Sequence, residues 1–165
     1  MPELTEEQTT WYDPESLSSV VDQRGGQRLT ISNRLVTKLS FPLSKFGSPT
    51  GDINFTIRKV SDDSIINQKV WGDASALNNT PTWREVTFDS PVNINEEVRI
   101  LAEWGGGDWD NYVKYRALRS SVKENEGLTR KYYTDPYNDS TVDSAYIYTY
   151  WVEAITGPLP MHFRQ

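Results

Sequence analysis

Apolar side chains recur at every second position through much of this chain, the period of a strand with one buried face. Leu35, Leu39, Phe41 and Leu43 share one parity, and Ile53, Phe55 and Ile57 repeat it after Gly47-Ser48-Pro49-Thr50-Gly51. Proline fixes φ at one corner of that segment and glycine allows the conformations that complete a reversal, so the spacing predicts an antiparallel hairpin. A second reversal at Ser61-Asp62-Asp63-Ser64 leads into a strand over 65–71. Val86 and Phe88 are out of phase with Trp83, which predicts a bulge or strand start near Arg84. Residues 91–97 read as a short edge segment and turn, after which Val98, Ile100, Ala102 and Trp104 share a face. Further strands are expected over 112–116, 129–133 and 145–153, with residues 117–127 as a long loop or a short helix.

Seven or eight strands at short spacing predict an all-β fold, an antiparallel sandwich of two sheets over residues 26–156. Residues 1–25 are acidic and irregular as far as Gly25-Gly26 and read as an N-terminal arm. Residues 157–165, opened by Gly157-Pro158-Leu159-Pro160, read as a C-terminal tail. Both are expected to reach onto a neighbouring molecule.

Composition narrows the function classes. A chain of 165 residues buries a core large enough to fold unaided, and with no cysteine it has neither disulfides nor thiolate chemistry. A net charge of −6 without a basic run argues against a nucleic-acid partner. The apolar stretches are strand-sized, well short of the roughly 20 residues of a spanning helix, so no membrane insertion is expected. Residues 1–7 carry neither the basic nor the apolar region of a secretory signal, and the expected location is a virion or an extracellular surface reached without one.

Three blocks carry a resemblance: residues 35–41 with the turn at 47–51, Trp83-Arg84-Glu85-Val86-Thr87-Phe88 followed by Ser90-Pro91-Val92, and the glycine-rich stretch from Gly105 to Tyr112. Together they resemble a jelly-roll β-sandwich family of phage-encoded and secreted bacterial and archaeal surface proteins. The resemblance implies a jelly-roll sandwich and a role as a carbohydrate-binding module or a virion surface protein, and brings no catalytic motif.

Candidate chemistry concentrates in two places. His162, the sole histidine, lies in the tail, so a histidine-dependent catalytic arrangement would rest on it alone and no enzyme is expected. In the loop Gly105-Gly106-Gly107-Asp108-Trp109-Asp110-Asn111, three glycines free the backbone while Asp108 and Asp110 offer oxygens suited to a calcium cofactor, a structural turn being the alternative. Trp109, Asn111 and Tyr112 are candidate ligand contacts, because an indole at a wet loop tip beside amides and hydroxyls suits a sugar ring; packing against the sandwich end or another subunit is the alternative. Tyr146, Tyr148 and Tyr150 share a parity opposite Ile147 and Trp151, which predicts a tyrosine-rich outer face and an interface. The expected function is a non-catalytic structural or adhesion subunit of a virus particle, a capsid decoration, head-fibre or tail-associated protein that contacts other virion subunits or copies of itself. The alternative is a carbohydrate-binding module with a glycan partner.

Overall fold

Strand-forming, alternating segments dominate the computed structural model, which describes residues 2–152. In chain order they are β1 (Leu4–Gln8), β2 (Asp13–Leu17), β3 (Arg24–Phe46), β4 (Asp52–Lys59), β5 (Ile65–Asp73), β6 (Thr82–Glu103), β7 (Tyr112–Ala117), β8 (Gly127–Lys131), β9 (Asn138–Asp139) and β10 (Tyr146–Val152). All pairings between these strands are antiparallel, and the sheet does not close. A 3-10 turn at Ala74–Ala76 is the sole helical element among the described residues, and none of their helices is long and apolar enough to cross a membrane. The stretch 117–127 holds a loop, not a helix, before β8 begins.

The expected hairpin β4–β5 forms, and so does the reversal at 47–51. The frame itself is longer than the alternation suggests. β3 and β6 pair from Arg24↔Glu103 to Leu43↔Thr82, and shorter strands attach along them. The first third of β3 takes β8 on its other side, the middle takes β10 and then β1, and Ser44–Phe46 takes β7, which pairs with β2. Two interruptions bend the pair: Asn33, at φ 50°, separates Ile31 from Arg34, and the residues between Thr87 and Val92 loop out. Asparagine tolerates that left-handed conformation better than most side chains.

This corrects one expectation and decides another. Residues 91–97 belong to the continuous strand β6 and do not turn. Of the two alternatives near Arg84, the strand start is the one found, with β6 beginning at Thr82; no bulge occurs there, since Trp83 to Thr87 pair in unbroken register with β3, and the bulge falls at residues 88–91. Pro91 lies within it, where no ladder N–H is required of it.

Bending brings the two regions of sheet face to face. Phe41 of β3 meets Phe55 of β4 edge to face, with ring centroids 5.1 Å apart. A Cβ at Gly25 would sit 2.3 Å from the Tyr115 ring, so the start of β3 accepts β7 across the interior only because no side chain intervenes. One core, including Leu29, Leu39, Ile57, Val98, Ile100 and Val113, fills the space between. Burying each such side chain stabilises the fold by roughly 1.5–3 kcal/mol.

The N-terminal stretch is no free arm. β1 pairs with β10 in a run from Leu4↔Tyr150 to Gln8↔Tyr146, and β2 pairs with β7. The acidic residues that looked arm-like have partners in the body of the fold: Glu3 with Lys38 at 2.9 Å, and Glu6 with Arg34 at 3.3 Å and Lys123 at 2.8 Å. The expected tail at 157–165 lies outside the described residues, as does His162.

Candidate functional site

The loop between β6 and β7 is built to hold its tip still. Beneath it Trp104 is buried, its indole Nε1 donating to the Thr50 carbonyl at 3.2 Å. Gly107 takes φ +69°, and a Cβ there would stand 1.9 Å from the Asn111 carbonyl oxygen, so glycine alone fits. Asp108 donates its N–H to that carbonyl at 3.0 Å, and its Oδ1 accepts from the Asp110 N–H at 2.9 Å and the Asn111 amide at 3.0 Å. The Asp110 N–H, with the Asn111 amide behind it, holds the Asp108 carboxyl below its ordinary range. Asn111 Oδ1 in turn accepts from the Ser48 N–H at 2.8 Å, tying the loop to the turn between β3 and β4.

Asp108 Oδ1 and the Asn111 amide group are therefore spent within the loop, and Asn111 Oδ1 braces the tip against the neighbouring turn. Among the described residues no three histidine, cysteine or acidic side chains converge as a metal site, so Asp108 and Asp110 gain no third carboxylate to hold calcium.

What the bracing leaves outside is Trp109, 70% exposed. Beside it lies a pocket of about 220 Å³ lined by Ser16, Ser18, Val21, Asp108, Trp109 and Tyr112. Two of the expected ligand contacts, Trp109 and Tyr112, thus meet at one cavity. The Tyr112 ring stacks on Phe46 with centroids 5.0 Å apart and planes 22° from parallel, and Lys114 Nζ stands 5.4 Å from the Phe46 centroid and 5.6 Å from that of Tyr112. Ser16, Ser18 and Val21 come from the stretch read as an arm. The signal that places them is Leu17, an apolar residue in a polar surround that is fully buried where β2 pairs with β7.

The tyrosine strand faces the other way from expectation. Tyr146, Tyr148 and Tyr150 are buried in the core and do not form an outer surface. Tyrosine tolerates this because only its tip is polar. The Tyr146 hydroxyl donates to Glu126 Oε2 at 2.6 Å, Arg34 Nη1 donates to the Tyr148 hydroxyl, and the Arg34 guanidinium lies 4.2 Å from the Tyr150 ring centroid. Burial pushes the Tyr146 and Tyr148 hydroxyls far above their ordinary value.

A charge network covers the outer face of the sheet around Tyr137. Its hydroxyl donates to Asp63 at 2.7 Å and accepts from Arg24 at 2.7 Å, while Arg99 stacks 3.9 Å from its ring centroid. Burial first, and the bond to Asp63 second, push the Tyr137 hydroxyl up to about 12. Every one of these groups has a partner, so the network is a brace without an open position. Elsewhere Glu15 and Asp22 share Arg130, at 3.2 and 3.9 Å. Burial raises both carboxyls despite that guanidinium.

Comparison with known proteins adds no identity: no family model matches, and neither a curated protein nor a solved structure shows significant similarity.

Proposed function

We propose that this chain is a non-catalytic adhesion domain of the jelly-roll sandwich kind, displayed on a virus particle or another surface, that takes a saccharide in the pocket beside Trp109. The observation that carries the reading is the 70% exposure of Trp109 at the rim of that pocket, on a loop whose every other anchor is fixed. An indole face covers the apolar face of a pyranose, and the half-buried Ser16 hydroxyl stands where a sugar hydroxyl would exchange a hydrogen bond. A rigid loop loses little conformational freedom on binding, which favours affinity.

The test is a glycan array read with the native chain, Trp109→Ala and Tyr12→Ala, the last removing an aromatic that is 75% exposed elsewhere. Binding is expected to vanish in the first variant only, while the folded stability of Trp109→Ala stays within about 0.5 kcal/mol of native, as for other surface substitutions. Glycan binding that survives Trp109→Ala would refute the assignment.

A second reading, a virion subunit that contacts its neighbours, is favoured by the open sheet. β1 and β5 are its edges, with Leu4, Ile65 and Val70 nearly half exposed. Sedimentation of the isolated chain tests it, a monomer at high concentration speaking against self-assembly.

A further inference from the structure

The outward face of β7 carries Tyr112, Lys114 and Arg116, alternating with the core residues Val113, Tyr115 and Ala117. Lys114 lies directly across from Ser16, a residue that lines the Trp109 pocket, and its Nζ stands over the ring of Tyr112, which lines it too. Although the chain as a whole is acidic, neither Lys114 nor Arg116 forms an ion pair with any described residue. Arg116 is 8% exposed, donates from Nη2 to Ser44 Oγ at 2.6 Å, and leaves its buried Nε without a partner. Without a paired carboxylate among the described residues, Lys114 brings positive potential to the Tyr112 wall of the pocket, and buried Arg116 two residues along adds to it. Asp108 lines the pocket as well, its Oδ1 taken up by the Asp110 N–H and the Asn111 amide, so an acidic group is directed away from it and toward Lys114.

We propose that the saccharide is an anionic one, its ring on Trp109 and its acidic group, carboxylate or sulfate, on Lys114 Nζ. A lysine ammonium takes such a group as a point charge without fixed geometry, so uronate and sulfate esters share the chemistry. Arg116 contributes through the field and need not touch the ligand. The inference rests on the adhesion reading above and adds the charge of the ligand to it.

Titration calorimetry with a galacturonate oligomer, a chondroitin sulfate oligomer and a neutral cello-oligomer separates the cases. Native chain is expected to bind at least one acidic oligomer more tightly than the neutral one, and to weaken severalfold as NaCl rises from about 50 to about 500 mM. Lys114→Gln is expected to lose about tenfold or more of the acidic binding, the worth of one charge-assisted hydrogen bond. Lys131→Gln, which removes the same charge beside Tyr137, is expected to leave it intact. The two acidic arms show whether carboxylate or sulfate is preferred. Equal affinity for the neutral oligomer, or acidic binding indifferent to Lys114→Gln, overturns this inference and leaves the Trp109 pocket standing. Failure of the native chain to bind any of the three overturns both.

Discussion

Asp143 is fully buried, and no cation pairs with it among the described residues; its carboxylate is held by hydrogen-bond donors. Oδ1 accepts from Gln27 Nε2 at 2.7 Å, and Oδ2 accepts from the Val122 and Lys123 N–H groups at 2.7 and 2.9 Å. Asp143→Ala strips all three donors at once. A buried donor left unpaired costs about 1–3 kcal/mol. Gln27 keeps a longer bond to Glu126 at 3.2 Å, and the two loop N–H groups are only part-buried and regain water. With that discount the expected loss is about 3 kcal/mol, a large share of the roughly 5–15 kcal/mol that hold a typical domain. Asp143→Asn keeps one acceptor oxygen and should lose about half as much. Urea unfolding followed by tryptophan fluorescence, at unchanged m-value, reads both variants, and protease cleavage within 118–126 reads the loosened loop. A loss below about 1 kcal/mol for Ala, or equal losses for Ala and Asn, would refute the argument that acceptor geometry is what matters.

Two carboxylates should respond to pH with opposite signs. Burial raises Glu15 above its ordinary value of 4.5, so in the folded chain it protonates first, and the cost of keeping it charged is present above its folded pKa and relieved as pH falls through it. Glu15→Gln should therefore stabilise at neutral pH, and the gain should fade on acidification; a pH-independent difference would contradict this. For Glu6, burial pulls upward, but Lys123 and Arg34 outweigh it and hold the carboxyl below its ordinary value. Its contribution is complete above the unfolded value and lost as pH falls through the folded one, so the destabilisation by Glu6→Gln, measured by thermal melts across pH 3 to 7 or so, should shrink toward the acid end. Removing residues 1–8 should lower the melting temperature of the isolated chain, because β1 covers the edge of β10 and supplies Glu6; an unchanged melt would restore the arm.

Much of this fold was legible because its strands obey a simple parity. Ile53, Phe55 and Ile57 point inward as their alternation requires, and so do Val98, Ile100, Ala102 and Trp104. The long strand β6 was hidden because Pro91 and the polar run behind it look like a turn; the bulge that accommodates the proline exists only when β3 lies alongside. For β10 the parity was right and the face wrong. Ile147 and Trp151 are the more apolar set, yet the tyrosines go inside because Glu126 and Arg34 meet their hydroxyls. The acidic N-terminus was misread for a similar reason: the cations that answer Glu3 and Glu6 stand far along the chain, at Lys38, Arg34 and Lys123. In the pocket Trp109 declared itself as an aromatic in a polar loop, whereas Ser16 and Ser18 are ordinary residues made significant only by the docking of β2.

The union of β3 with β6 sets the pace at which the chain acquires its shape. Its nearest partners, Leu43 and Thr82, are already separated by the whole β4–β5 hairpin, and its farthest are Arg24 and Glu103. Loop closure must precede any reward from these contacts, so β4 with β5 is the natural early piece and the long ladder the late, slow one, on the millisecond-to-second scale of strand-dominated domains. Until that ladder zips, β1, β8 and β10 have nothing to join, and the tyrosines of β10 stay in water.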